Sequence, residues 1–231
     1  MSPTKPSHEL AVPGHLPDPV LIIVMGPASC GKSTVGQGVA NALNLSFIDG
    51  DSLHPKSNIK KMSTGIPLTD EDRLPWLALI RSTAERFCKE QMDKSGGRLT
   101  AVQDGGIGRP GVVIACSALR KWYRDILRGS VKANPPSAED LVESHPQNAE
   151  HAATGALKTL FVYCKGSPEL LKERIAARKG HFMGSEMLAS QLATLEDPSD
   201  EEGVAVTEID GSQEEVIEIA VNGIKKLLRL E

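Results

Sequence analysis

The chain has 231 residues, of which 40% are hydrophobic, 24% are charged and 3% are aromatic, and its formal net charge is −4. This length supports one full-sized hydrophobic core. The acidic balance and the scarcity of aromatic residues argue against nucleic-acid binding. The longest strongly apolar run, VLIIVM, is too short to cross a bilayer. Composition therefore predicts a globular protein that binds neither nucleic acid nor membrane.

Residues 1–19 contain prolines, serines and histidines but no apolar core of a signal peptide, so we expect a flexible leader and a cytoplasmic protein. The four cysteines, Cys30, Cys88, Cys116 and Cys164, are widely spaced and form no CxxC pair. We interpret them as free thiols in a reducing compartment, without disulfides or zinc.

Strand-like and helix-like segments alternate from residue 20 onwards. The first strand-like segment is a continuous, largely β-branched run, as expected for a strand buried on both faces. The predicted strands are 20–25, 46–49, 111–116, 157–163 and 204–209. The predicted helices are one marked by Val35, Val39 and Leu43, followed by 76–89, 119–127, 168–178 and 213–228. This alternation predicts an α/β fold with a parallel sheet covered on both sides.

Two polar segments interrupt the alternation. Residues 94–110 are rich in glycine, and residues 129–155 are polar and contain prolines. We interpret both as mobile surface insertions that serve as spacers. Residues 20–231 are thus predicted to form a single domain.

A phosphate-binding motif follows the first strand. The sequence GPASCGKS matches G-x-x-x-x-G-K-[ST] between a buried strand and an amphipathic helix, the context that a P-loop requires. In such a loop, backbone N–H groups and the helix N-terminus form a cradle for anions. Lys32 is predicted to reach the β- and γ-phosphates, and Ser33 to ligate Mg²⁺. The candidate nucleotide-binding residues are Gly26, Pro27, Ala28, Ser29, Cys30, Gly31, Lys32, Ser33 and Thr34.

Cys30 lies inside this motif and has two interpretations. A thiol near a helix N-terminus can be reactive, but only where it is exposed. We favour the alternative, that the loop needs a small residue at this position.

Two carboxylates end the second predicted strand, in the sequence SFIDGDSLHP. Asp49 and Asp51 should share a cleft with the P-loop, because ligands of parallel sheets bind beyond the carboxyl ends of the strands. A carboxylate there can hold the hydration shell of Mg²⁺ or accept a proton from an attacking hydroxyl. Since the third strand ends without an acidic residue, we assign the water-mediated Mg²⁺ contact to Asp49. The alternative is an Asp-Gly-Asp turn that caps the next helix.

Four further parts of the sequence carry a family likeness. The most specific is DGDSLHP followed by NIKKMSTGIPLTDEDR, and the others are VVIACSALRKWYRDILR, RKGHFMGSEMLASQLATLE and EEGVAVTEID. These stretches resemble the gluconokinases, small P-loop kinases that make 6-phosphogluconate and are related to shikimate kinases. The resemblance covers most of residues 20–220, in the same order, and leaves out the leader and the insertions. It implies a three-layer P-loop kinase fold with sheet order 2-3-1-4-5 and a mobile lid at about residues 174–190.

The resemblance also implies the substrates ATP and D-gluconate, the cofactor Mg²⁺, a homodimer, and a product that feeds the pentose phosphate pathway. Asp51 is then the general base for the attacking hydroxyl. Arg73 is the expected partner of the gluconate carboxylate, with a surface ion pair to Asp70 or Glu71 as the alternative.

The other candidate substrate ligands are His54, Lys61, Ser117, Arg124 and His181. For His54, orienting a substrate hydroxyl and capping a turn are equally supported.

Arg174 and Arg178 share one helix face, and we expect them to stabilise the transferred phosphoryl group from a lid. A solvated basic helix end is the alternative. A kinase for shikimate or another small hydroxy acid, and a nucleotide-binding regulator without catalysis, remain as alternative functions.

Overall fold

The computed structural model describes residues 17–95, 106–142, 157–177 and 185–230. Within these ranges the strands are β1 (Val20–Met25), β2 (Ser46–Asp49), β3 (Gly111–Ala115), β4 (Lys158–Lys165) and β5 (Val204–Glu208). The α-helices are α1 (Lys32–Leu43), α2 (Lys56–Ser63), α3 (Asp70–Ser95), α4 (Lys121–Arg128), α5 (Pro168–Ala177), α6 (Ser185–Thr194) and α7 (Gln213–Leu228). All five strands pair in parallel, in the order β2-β3-β1-β4-β5. The predicted fold class and strand order are confirmed.

Strand β1 forms the centre of the sheet, and its side chains alternate between two hydrophobic layers. Val20, Ile22 and Val24 pack with residues of α1 and α7 on one face. Leu21 and Ile23 pack with residues of α3 and α4 on the other. Because successive strand residues point to opposite faces, a strand covered on both sides must be apolar throughout.

Helices α2 and α6 were not predicted, and α3 begins six residues earlier than the sequence pattern indicated. In α2 the apolar residues Ile59 and Met62 are 44% and 38% exposed, so the helix has no apolar stripe that faces the core. The first turn of α3 contains three acidic residues, which suit the positive end of a helix but break its apolar period.

The second insertion is not a simple spacer in its described part. Leu141 is only 4% exposed and belongs to the same hydrophobic layer as Trp76. The carboxylate of Asp140 accepts two hydrogen bonds from Ser57 in α2. Asp140 and Leu141 are therefore attached to the folded domain, and the interpretation of the rest of the insertion as a spacer stays a prediction. Residues 1–16 of the predicted leader, and residues 96–105 and 143–155 of the insertions, lie outside the described residues.

Among the helices that the structure describes, none combines the length and the apolar character that a membrane span needs.

Candidate active site

The loop between β1 and α1 has the backbone of an anion cradle. Gly26 and Gly31 have φ angles of 140° and 93°, which favour glycine. A Cβ atom on Gly26 would lie 2.9 Å from the carbonyl oxygen of Cys164, so the loop also needs glycine for close packing. Helix α1 begins at Lys32 and has no acidic residue in its first turn. Its positive end is thus available to a phosphate group.

Two donor groups of this loop form hydrogen bonds, one to an acceptor within the loop and one to an acceptor in α6. The ammonium group of Lys32 donates to the carbonyl oxygen of Pro27 at 2.9 Å. The backbone N–H of Ala28 donates to Oε1 of Gln191, in α6, at 2.6 Å. Gln191 therefore connects α6, whose first residues belong to the predicted lid, to the P-loop, although 163 residues separate the two positions in sequence.

The thiol of Cys30 is enclosed within the loop. Cys30 is 1% exposed and forms a hydrogen bond with Cys164. Burial raises the pKa of Cys30, but the hydrogen bond with Cys164 and the charge of Lys32 lower it more strongly, to about 6. Because reactivity also requires exposure, this environment favours a packing role for the small side chain.

The carboxylate of Asp49 faces the P-loop. Its Oδ2 accepts a hydrogen bond from the hydroxyl of Ser33 at 2.8 Å, and its Oδ1 accepts one from the backbone N–H of Asp51 at 3.1 Å. Asp49 thus caps the 3-10 helix Gly50–Leu53 and also contacts the predicted Mg²⁺ ligand, so the two interpretations of this residue are compatible. A hydroxyl and a carboxylate are hard oxygen donors that suit Mg²⁺, which takes few protein ligands when phosphates and water complete its shell.

A cavity of about 190 Å³ lies beside the P-loop at the carboxyl ends of β1, β2 and β3. Its walls are formed by Ala28, Lys32, Asp51, His54, Met62, Leu68, Arg73, Trp76, Ser117, Met187 and Gln191. The structure therefore brings six predicted site residues together, namely Ala28, Lys32, Asp51, His54, Arg73 and Ser117.

Asp51 has the environment of a general base. Desolvation by the surrounding protein raises the pKa of Asp51, the negative charge of Asp49 raises it further, and the charge of Lys32 opposes both effects. The residue as a whole is nevertheless exposed, because it opens onto the cavity. A carboxylate that is both accessible and more basic than usual can accept the proton of a bound hydroxyl.

A stacked aromatic pair forms one wall of the cavity. The rings of His54 and Trp76 lie 4.1 Å apart with an interplanar angle of 16°. The indole N–H of Trp76 donates to the carbonyl oxygen of Gly50 at 2.8 Å. The amide nitrogen of Asn58 lies 3.3 Å from Nδ1 of His54 and also donates to the carbonyl oxygen of Asp72. Because an amide nitrogen only donates, this contact is a hydrogen bond in the tautomer of His54 whose Nδ1 carries no proton.

Arg73 contributes a positive charge to the same cavity. Its guanidinium group donates to the carbonyl oxygen of Leu68 and lies 6.0 Å from the ring centroid of Tyr123. The predicted alternative, an ion pair with Asp70 or Glu71, is not formed by these described residues. Asp70 instead pairs with Arg120 at 3.0 Å and accepts a hydrogen bond from the hydroxyl of Tyr123. Arg73 therefore remains available to an anion, with no salt bridge to any carboxylate of the described ranges.

Arg124 is not a substrate ligand. It is fully buried, and its guanidinium group forms a salt bridge with Glu201. The remaining donors bind the carbonyl oxygens of Ala118, Leu119 and Glu196 at 2.8 to 3.1 Å. The prediction of Arg124 as a substrate ligand was wrong because Arg124 lies on the buried face of α4, so that its side chain points into the core rather than into the cavity.

Lys61 is also misassigned. Its ammonium group forms a salt bridge with Asp72 at 2.6 Å, and the residue is absent from the described wall of the cavity. Lys61 thus contributes to the attachment of α2 to α3.

Arg174 lines a second cavity, of about 230 Å³. The walls of this cavity also include Cys30, Gly31 and Thr34 of the P-loop. Its guanidinium group donates to the carbonyl oxygen of Ile209. The described walls of the two cavities have no residue in common. Arg174 is thus absent from the described wall of the first cavity, and its action on the transferred phosphoryl group stays a prediction. Arg178 and His181 lie outside the described residues.

Trp76, Asn58, Met62, Leu68 and Met187 were not predicted as site residues. Their side chains are apolar or neutral, so their chemistry did not indicate a ligand. The available signal was membership of the stretches NIKKMSTGIPLTDEDR and RKGHFMGSEMLASQLATLE, which contain all of them except Trp76.

Comparisons with known proteins agree with this geometry. A family model described as shikimate kinase matches residues 28–74. The thermoresistant gluconokinase of Escherichia coli (strain K12) is 35% identical over 207 residues, covering 89% of this chain and 94% of that protein. A probable gluconokinase of Mus musculus is 38% identical over 208 residues, covering 90% of this chain and 98% of that protein.

Solved structures give the same result. The crystal structure of a gluconokinase from Sinorhizobium meliloti 1021 is 37% identical, with a TM-score of 0.65, and the match covers 91% of this chain and 94% of that one. A sugar kinase from Janibacter sp. HTCC2649 is 32% identical, with a TM-score of 0.61, over 92% of this chain and 97% of that one. Sequence identity at this level over nearly whole chains, together with the arrangement of the P-loop, Asp51 and Arg73, shows that the chain belongs to the gluconokinase family.

Proposed function

We propose that the protein transfers the γ-phosphoryl group of ATP to the terminal hydroxyl of D-gluconate, forming 6-phospho-D-gluconate. The observation that carries this proposal is the shared cavity of Lys32, Asp51 and Arg73 beside the P-loop. Gluconate has one carboxylate and several hydroxyls. A guanidinium group can bind a carboxylate through two parallel hydrogen bonds, and Asp51 can accept the proton of a hydroxyl.

In this mechanism the terminal hydroxyl of gluconate transfers its proton to Asp51 and its oxygen bonds to the γ-phosphorus of ATP. The bond from that phosphorus to the bridging oxygen breaks, and ADP leaves. Lys32 exchanges its contact with Pro27 for the phosphates and balances their charge. Ser33 and, through water, Asp49 would hold Mg²⁺, which neutralises charge on the β- and γ-phosphates. Positioning and electrostatics supply most of the acceleration.

We further propose that the nucleoside part of ATP occupies the second cavity. This cavity adjoins the P-loop and contains Arg174 together with Gly211 and Gln213 from the segment after β5. The planar guanidinium of an arginine can stack on a base.

A kinase for another small hydroxy acid is the second candidate function, since the shikimate kinase family model matches the residues from Ala28 to Leu74. An ADP-release assay with ATP, Mg²⁺ and D-gluconate, shikimate, glycerate, a nucleoside monophosphate or water separates the candidates. We expect turnover with gluconate alone. Turnover with shikimate or glycerate but not with gluconate would show that gluconate is not the substrate. Absence of turnover with every acceptor, despite ATP binding, would favour a non-catalytic regulator.

Replacing Arg73 by Gln should raise the KM for gluconate by about 10- to 100-fold, because a hydrogen bond to a charged group is lost. The KM for ATP should stay close to that of the wild type, since the second cavity is unaffected. Steady-state kinetics with each substrate varied in turn measure both values. Arg86→Gln on the same helix is the matched control, because Arg86 pairs with Glu90 away from the cavity. Equal KM values for gluconate in the two variants would remove Arg73 from the acceptor site.

The raised pKa of Asp51 should appear in the pH dependence of kcat/KM for gluconate. Protonated Asp51 cannot accept the hydroxyl proton, so activity should fall as the pH decreases through this raised pKa. The midpoint of the acid limb should therefore lie above the value of about 3.9 for an ordinary aspartate. A rate that stays constant down to that value would contradict the assignment of Asp51 as the base.

The homodimer and the cytoplasmic location remain predictions from the sequence.

A further inference from the structure

The described part of the second insertion is attached to α2, the helix beside the acceptor cavity. The backbone N–H of Ser57 donates to Oδ1 of Asp140 at 2.8 Å, and the hydroxyl of Ser57 donates to Oδ2 at 2.6 Å. The ammonium group of Lys56 donates to the carbonyl oxygen of Glu139 at 3.2 Å. These contacts join positions 83 residues apart in sequence, so the insertion and α2 form one unit only in the folded chain.

Asp140 supplies what the N-terminus of α2 lacks. The residue before the helix is Pro55, whose side chain provides no capping hydrogen bond, and the first turn has no acidic residue among its described positions. The first N–H groups of a helix need acceptors, and a negative charge is favourable at this end. Asp140 provides both from outside the helix.

Helix α2 has little else to fix it. Of its eight described residues only Asn58 is buried, and Ile59 and Met62 are largely exposed. Asn58 and Lys61 bind Asp72 on one side of the helix, and Asp140 binds it at the N-terminus. The position of α2 therefore depends on polar contacts rather than on apolar burial.

The insertion side of this contact is anchored in the hydrophobic core. Leu141 follows Asp140 directly, is 4% exposed, and packs in the hydrophobic layer that contains Leu53 and Trp76. The insertion thus connects α2 to the same layer that supports the aromatic wall of the cavity.

Helix α2 determines part of the acceptor wall. Met62 lines the cavity, and Asn58 contacts Nδ1 of His54, which also lines it. The nucleotide-side cavity contains no residue of α2 among its described lining. A shift of α2 would accordingly alter the site of the phosphoryl acceptor and leave the site of the nucleotide unchanged.

We propose that Asp140 is a positioning residue for the phosphoryl acceptor, acting through Ser57 and α2 on His54 and Met62. The inference rests on the proposed function, in which this cavity binds the acceptor. The segment around Asp140 is then a structural part of the acceptor site and not a spacer.

The test is steady-state kinetics of Asp140→Ala with gluconate and ATP varied separately. Loss of a helix cap typically changes an equilibrium constant by about 2- to 30-fold. We therefore expect Asp140→Ala to raise the KM for gluconate by about this factor. The KM for ATP should remain at the wild-type value. Asp140→Asn keeps an acceptor for the N–H of Ser57 and should recover most of the gluconate affinity. Glu139→Ala is the matched control, because the neighbouring carboxylate is exposed and Glu139 contacts Lys56 through its main-chain carbonyl.

A purely structural role of Asp140 would lower the melting temperature and the active fraction without changing the KM for gluconate, and this outcome would overturn the inference. If Asp140→Ala does not fold, Ser57→Ala and Asp140→Asn test the same contact with smaller changes. If Ser57 and Asp140 act through one contact, their effects on the KM for gluconate are not independent. The double variant Ser57→Ala with Asp140→Asn should then change the logarithm of this KM by less than the sum of the two single changes. Absence of gluconate turnover by the wild type would refute the proposed function itself, whereas wild-type turnover with an unchanged KM in Asp140→Ala would refute only this inference.

Discussion

Replacing Asp51 by Asn is expected to lower kcat for gluconate by about 10²- to 10⁴-fold, the usual contribution of a general base. The amide keeps the size of the side chain and its place in the cavity wall but cannot accept the hydroxyl proton. Binding of ATP should be retained, since the P-loop is unchanged. Single-turnover measurement of 6-phosphogluconate formation, with nucleotide binding followed by calorimetry, gives both quantities.

The same substitution should leave the fold equally stable or more stable at neutral pH. The pKa of Asp51 is raised in the folded state, so the folded protein binds this proton more tightly than the unfolded chain does. The stabilising contribution of the protonated form is present at acid pH and is lost as the pH rises through the folded-state pKa. Asparagine is neutral at every pH and avoids this loss. A marked drop in melting temperature, or a kcat close to that of the wild type, would contradict the role assigned to Asp51.

Replacing Arg124 by Met is expected to destabilise the protein by about 3 to 5 kcal/mol, the cost of removing one partner of a buried ion pair. Arg124 is fully buried, and the substitution leaves Glu201, whose side chain is 17% exposed, with Arg128 as its remaining salt-bridge partner. Three main-chain carbonyl oxygens lose their donor at the same time. Urea denaturation followed by circular dichroism measures the change in the free energy of unfolding.

The matched control for this prediction is Arg128→Met. Arg128 binds the other carboxylate oxygen of Glu201 at 2.8 Å but is 22% exposed in its side chain, so its loss should cost less. The KM for gluconate of folded Arg124→Met should equal that of the wild type, because Arg124 does not line the cavity. A large increase in that KM with unchanged stability would restore Arg124 as a substrate ligand.

The pH dependence of this buried pair has a defined direction. Burial raises the pKa of Glu201, but its hydrogen bonds and charge interactions with Arg124 and Arg128 lower it below the ordinary value overall. The stabilisation is therefore present above the unfolded-state pKa of Glu201 and is lost as the pH falls through the lower folded-state pKa. Arg124→Met should make the free energy of unfolding less sensitive to acid in this range.

The sequence by itself determined the parts of this protein that depend on contiguous residues. The run from Val20 to Met25 must be buried on both faces, because its side chains alternate between the two layers and all are apolar. The P-loop is specified within eight residues. Asp49 and Asp51 end a strand whose carboxyl end must lie near that loop in any parallel sheet. The DGDSLHP stretch added the family resemblance, and with it the strand order.

Only the tertiary structure decided which arginine lines the cavity beside the P-loop. Arg73 and Arg124 both lie near the beginning of a helix, and both are candidates from local sequence. Packing turns Arg124 inward to Glu201, 77 residues away, whereas Asp70 is held by Arg120 and does not pair with Arg73. The contacts of Ala28 with Gln191 and of Ser57 with Asp140 are equally remote in sequence. The choice of a polar partner depends on which faces of distant elements meet, and local periodicity carries no information about that.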